Sequence, residues 1–147
     1  MAIYTRILVA VDLAADSLRI ARHASDLASA LGAQLHVVHV VRPMLISTPM
    51  PPQPVAPDAM MTMVDVSREA QRQMGGLATE LGLTEGQWQV IEGNVQDEIL
   101  RAASELAVDL IVIGNREQHG LALLRRPTDD AVAQRAPCDV LEVRLRD

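Results

Sequence analysis

The sequence predicts an α/β protein: one doubly wound, Rossmann-like parallel sheet of five strands in the order 3-2-1-4-5, with helices on both faces. Short apolar strands alternate with longer stretches of helical periodicity along the whole chain. Two of the strands, Arg6 to Val11 and Asp109 to Ile113, are almost continuously apolar, as expected of central strands covered on both sides. A length of 147 residues suits a single domain, 1–147, with a core of ordinary size.

The first strand runs from Arg6 to Val11 and stops at Asp12. Asp16 or Ser17 can then cap a helix that continues to Leu31, where Gly32 supplies the stop. Ile20, Ala24, Leu27, Ala28 and Leu31 recur at helical spacing and give that helix one apolar face. Gln34 to Val41 is the second strand, largely apolar on both faces. Residues 42–58 hold six of the eight prolines, which forbid regular structure through missing N–H groups and fixed φ. A helix from about Ala59 to Leu81 follows, with Gly75 and Gly76 as a weak point for a kink or fraying, each costing about 1 kcal/mol relative to alanine. Gln87 to Glu92 alternates like a short edge strand, and Asn94 caps a helix from Val95 to Ala107 with Asp97 and Glu98 in its first turn. The fourth strand, Asp109 to Ile113, leads into a loop that opens at Gly114; Thr128 caps a short helix to Arg135, and Cys138 to Leu145 is the last strand.

Composition narrows the chemistry. All 13 basic residues are arginine, which removes the P-loop lysine, Schiff-base chemistry and any lysine base. The absence of Phe, with one Trp and one Tyr, leaves no aromatic platform for nucleic-acid bases, and a net charge of −6 disfavours attraction to a phosphate backbone. No run of about 18 apolar residues is present to span a bilayer. The amino-terminal stretch opens as a strand and not as a cleavable apolar segment, and the single cysteine, Cys138, can form no internal disulfide; both point to the cytoplasm.

Four segments carry a family resemblance: Ile7 to Leu13, Leu35 to Val40, Asp109 to Gly114 and Ala136 to Val143. In order and spacing they resemble the universal stress protein family over essentially the whole chain. The resemblance implies a small cytoplasmic α/β domain, usually dimeric, tied to stress resistance, with some branches binding ATP. It further implies a nucleotide motif of glycine, two residues, glycine, nine residues, then glycine followed by Ser or Thr. Here Gly114 and Thr128 fit that motif, while Glu117 and Pro127 replace its second and third glycines. The family's strand-one carboxylate, implied to contact ribose, is matched by Asp12, but Leu13 and Ala14 stand where Gly-Ser is common. These departures resemble the universal stress protein A branch, which is implied not to retain ATP readily.

The residues themselves point the same way. Pro127 has no N–H to donate, Glu117 does not readily adopt glycine-like φ, and Asp129 and Asp130 add negative charge at the helix start that would otherwise cradle phosphate. Arg116, Arg125 and Arg126 offset part of that charge. If a nucleotide binds, the candidate residues are Val11 and Asp12 at the ribose side, backbone near Val40 and Val41 at the base, and Gly114, Asn115, Arg116, Gly120 and Thr128 around the phosphates. AMP or adenosine fits such a crevice better than a triphosphate. Asp12 is equally explained as a turn former that accepts from the following backbone.

No catalytic constellation stands out. His36 and His39 are three apart on a strand and face opposite sides, so they cannot share a metal; they read as one satisfied core histidine and one surface histidine. No serine lies in a nucleophile elbow, and Cys138 reads as a packed thiol. On the last strand Leu141, Val143 and Leu145 alternate with Val140, Glu142 and Arg144, the pattern of an edge with one partly wet face. Two copies pairing antiparallel about Val143 would set Glu142 beside Arg144 of the other copy. The expected protein is therefore a non-enzymatic homodimer with no cofactor, acting through unidentified protein partners, with ATP or AMP as possible ligands; an adenine-nucleotide switch is the alternative and a nucleotide-processing enzyme the third reading.

Overall fold

A computed structural model describes residues 2–43, 63–116 and 127–145. Its strands are β1 (Arg6–Ala10), β2 (Gln34–Val41), β3 (Trp88–Glu92), β4 (Leu110–Arg116) and β5 (Asp139–Leu145), and its helices α1 (Ser17–Leu31), α2 (Met63–Leu81), α3 (Val95–Glu105) and α4 (Pro127–Arg135). The five strands form one sheet in the order β3-β2-β1-β4-β5, and every pairing is parallel. This is the architecture and strand order expected from the sequence.

Two apolar layers sandwich the sheet. On one face Ile7, Val9, Val37 and Val112 pack with Ile20, Ala21 and Ala24 of α1 and Met74 and Leu77 of α2. On the other, Leu8, Val38, Ile111 and Ile113 pack with Ile99, Ala102 and Ala103 of α3 and Val132 of α4. Successive residues of β1 and β4 thus feed opposite layers, which is why both strands read as unbroken apolar runs. Because α1 leaves β1 on one face and α4 follows β4 on the other, the topology switches between the carboxyl ends of β1 and β4, where open α/β sheets place their ligand crevice.

Several boundaries differ from the sequence reading, each for a local reason. The fourth strand does not stop at Ile113: Gly114, Asn115 and Arg116 continue it, paired with Val143, Arg144 and Leu145 of β5. The last helix is not capped by Thr128, which is its second residue; Pro127 occupies the first position, where a missing N–H costs nothing. Gly75 and Gly76 do not interrupt α2, whose helix is continuous from Met63 to Leu81. Asp16 is the N-cap of α1 by position, its carbonyl accepting from the Ile20 N–H at 3.1 Å, but its side chain makes no capping hydrogen bond. A short 3-10 turn, Glu85–Gln87, precedes β3. Gly32 ends α1 in the left-handed conformation at φ 66°, and Asn94 caps α3 by accepting from the Asp97 N–H at 3.1 Å, both as expected. Most of the proline-rich segment, residues 44–58, lies outside the described residues.

Asp109 joins the amino ends of β1 and β4. Its carboxylate accepts from the Thr5 N–H (2.8 Å), the Thr5 hydroxyl (2.9 Å) and the Arg6 N–H (3.1 Å). Desolvation works to raise this carboxyl, but those hydrogen bonds outweigh it and hold it below its usual range.

Candidate functional site: the crevice at the carboxyl ends of β1 and β4

Val11 and Asp12 follow β1 directly, and the register Val9↔Val112 brings Val11 level with Gly114 on the neighbouring strand. The sheet therefore gathers Val11, Asp12 and Gly114 at one end, together with Val40 and Val41 at the end of β2. Asn115 and Arg116 continue β4 past that level, and Pro127 and Thr128 open α4. Glu117 and Gly120, with His119, Arg125 and Arg126, lie outside the described residues.

Asp12 is exposed. Its Oδ1 accepts from the Ala14 N–H at 3.0 Å and from the Ser17 hydroxyl at 3.0 Å. Those are the bonds of a turn former, and they organise the entry to α1. The turn also forces Leu13 to φ 60°, a left-handed conformation that disfavours a side chain, while Leu13 packs against the apolar layer on the α1 face. A glycine in this position would be unstrained.

Gly114 owes its lack of a side chain to packing. A Cβ there would collide with Ile20 Cδ1 and lie 3.2 Å from Ile20 Cγ1 and 3.4 Å from Leu145 Cδ1. Ile20 is itself 4% exposed and has little room to retreat. The first glycine of the motif thus has a structural reason to be glycine that involves no anion.

The backbone around Val11 and Val41 is already engaged. The Val11 N–H donates to the Val38 carbonyl at 2.9 Å, and the Val41 carbonyl accepts from the Gly93 N–H at 3.0 Å. The Val11 carbonyl lies 2.8 Å from Nδ1 of His39. Sequence reasoning set His39 aside as half of a histidine pair, yet it stands on β2 beside the carboxyl end of β1 and bonds to the residue that leads into Asp12. Its signal was a polar side chain near the carboxyl end of a largely apolar strand. The expectation of one satisfied and one surface histidine needs amending: both are partly buried, His39 is the satisfied one, and Nε2 of His36 is buried without a hydrogen-bond partner among the described residues.

Beyond β3, Gly93 at φ 151° packs under Glu98, whose Cγ would be 2.8 Å from an added Cβ. Glu98 pairs with Arg101 at 3.2 Å, and Asp97 with Arg135 of α4 at 3.2 Å. The first turn of α3 therefore presents two carboxylates where a free helix amino end would draw an anion. Among the described residues no group of three or more His, Cys, Asp or Glu is placed to hold a metal ion, and no helix is long and apolar enough to cross a membrane. Burial, then the charges of Asp139 and Asp109, push the Cys138 thiol up, which opposes thiolate chemistry.

An open parallel sheet with its crevice at a β1/β4 switch point defines the class: a Rossmann-like α/β protein of the kind that holds small ligands at the carboxyl edge. Comparison with known proteins makes the assignment specific. The model of the universal stress protein family matches residues 3–144. Universal stress protein A homolog 2 of Coxiella burnetii (strain RSA 493 / Nine Mile phase I) is 32% identical over 148 residues, covering 97% of both chains. The chain belongs to the universal stress protein family. Among solved structures, the fold is similar to that of UspA from Lactobacillus plantarum, with a TM-score of 0.74 at 24% identity over 96% of this chain and 98% of that one. It is also similar to a universal stress protein in complex with cAMP, with a TM-score of 0.62 at 24% identity over 95% and 96% of the two chains.

Proposed function

We propose that this chain is a non-enzymatic stress-response protein of the cytoplasm, a homodimer joined through β5, that holds ATP weakly or not at all and acts through protein contacts or weak small-molecule sensing. The observation that carries this reading is the replacement of two motif glycines by Glu117 and Pro127. A phosphate cradle is built from converging backbone N–H groups; proline removes one, and a carboxylate repels the ligand. The described part of the crevice supports the same reading. Asp12 already spends an oxygen on its own turn, and Gly114 is accounted for by Ile20. Extraction of nucleotide from the purified protein tests it: an empty or substoichiometric extract is expected, and stoichiometric co-purified ATP rejects it.

A second reading is an adenine-nucleotide switch, with Asp12 at the ribose, the backbone near Val40 and Val41 at the base, and Gly114, Asn115, Arg116, Gly120 and Thr128 about the phosphates. A related fold that holds cAMP favours keeping it, since a cyclic monophosphate brings one negative charge where ATP brings several. On that reading AMP, adenosine or a cyclic monophosphate binds more tightly than ATP. A nucleotide-processing enzyme is the third reading, and steady turnover of ATP with Mg²⁺ would establish it against the binding-only role.

A further inference from the structure

β1 and β2 are paired from Arg6↔Gln34 to Ala10↔Val38, and there the register ends. The Val11 N–H still donates to the Val38 carbonyl at 2.9 Å, the last bond of the ladder. In a parallel pair the next bond runs from the Val40 N–H to the Val11 carbonyl. That bond is not made, although all four residues lie within the described part of the chain. Nδ1 of His39 meets the Val11 carbonyl instead, at 2.8 Å.

The chemistry of the pair fixes the proton. A carbonyl oxygen only accepts, so Nδ1 is the nitrogen that carries hydrogen, and the neutral ring is the Nδ1–H tautomer. His39 alternates with Leu35 and Val37 along β2, which puts it on the α1 and α2 face of the sheet. The Val11 carbonyl therefore leaves the line of the ladder toward that face. A carbonyl has two lone pairs and can serve two donors, but here the ring replaces the backbone and does not share with it. Val40 keeps the unmade half of the exchange. Its N–H points as that of Val38 does, toward β1, because the intervening Val41 is the residue whose carbonyl serves Gly93 on the far side. Among the described residues no backbone acceptor meets it. It faces the place where the chain turns away from β2 into Asp12 and Leu13, at the crevice.

We propose that His39 is a positioning residue of the crevice: by holding the Val11 carbonyl it ends the β1–β2 ladder one bond early and keeps the Val40 N–H as a backbone donor at the crevice wall. A single N–H of this kind suits a neutral acceptor, such as a ring nitrogen or carbonyl of a planar heterocycle. That use rests on the adenine-nucleotide reading above, whereas the strand geometry stands without it. The rival cause is the Asp12 turn, in which Asp12 Oδ1 accepts from the Ala14 N–H and the Ser17 hydroxyl and Leu13 sits at φ 60°. If the turn alone draws β1 off β2, His39 only follows.

NMR and hydrogen exchange on the full chain separate the two. In the native protein the ring nitrogen shifts of His39 should report the Nδ1–H tautomer. The Val40 amide should exchange about tenfold faster than that of Val38, which the ladder holds. In His39→Leu the freed carbonyl should accept from Val40 and slow its amide by about tenfold. His39→Asn, which places an amide donor near Nδ1, should keep the native rate. Fast Val40 exchange that persists in His39→Leu assigns the opening to the turn and overturns the proposal. Should His39→Leu fail to fold, the native chain decides: an Nε2–H tautomer, or a Val40 amide as protected as that of Val38, overturns it equally. AMP titration then tests the use of the donor, with binding about tenfold weaker in His39→Leu and recovered in His39→Asn. A native chain that binds no AMP removes the nucleotide reading, while the exchange rates still decide the role of His39.

Discussion

Gly114 shows how one residue can satisfy a motif for a reason the motif does not give. In sequence it reads as the first glycine of a phosphate loop; in the fold it is a strand residue against which Ile20 of α1 lies. Gly114→Ala is expected to destabilise the protein by about 1–3 kcal/mol through overpacking. Ile20→Val removes the colliding Cδ1, so the double variant should cost less than the sum of the two single changes, and a thermal-melt cycle measures the difference. Ala107 offers the opposite case. It is exposed and held at φ 51°, so Ala107→Gly should raise stability by about 1 kcal/mol, read as a higher melting temperature. At this scale the sequence was half transparent. Asp12 and Asn94 were found from residue type and position, because short polar side chains at strand and helix ends bond locally. The neighbours that decide the roles of Asp12, Gly114 and Val11 are Ser17, Ile20 and His39 in turn; they are distant in sequence or ordinary in type, and only the packing showed what each one touches.

Elements were more legible than residues, because period and punctuation are local. The alternation of Val, Leu and Ile runs with amphipathic helices, with the stop at Gly32 and the start at Asn94, was enough to place every strand. Boundaries set by pairing were not readable this way: β4 continues through Gly114, Asn115 and Arg116 because β5 offers a ladder partner to each. The outer edge of β5 bears on the proposed dimer. Val140 packs on the α3 and α4 layer and Val143 on the α1 layer, while Leu141 is 36% exposed. If two copies pair here, Val143→Pro should convert the dimer to monomers in solution mass measurements while circular dichroism keeps its α/β shape. A Glu142→Arg variant should weaken the dimer, and adding Arg144→Glu should restore it. An unchanged mass in both variants would remove β5 as the interface.

At the scale of the whole molecule, the fold and family were available from the order of apolar strands, whereas ligand preference was not. The fold fixes where a ligand would sit; a handful of loop residues fixes what is admitted, and Glu117 and Gly120 lie outside the described residues. A net charge of −6, arginine as the only strong cation, and two carboxylates at the head of α3 all set the molecule against polyanions. Calorimetric titration of the native chain and of a Glu117→Gly/Pro127→Gly variant with ATP, with AMP and adenosine alongside, tests the account most directly. It predicts little or no heat from ATP with the native chain and a gain of at least about tenfold in ATP affinity once both glycines are restored. Tight ATP binding by the native chain, or no gain in the variant, would contradict it.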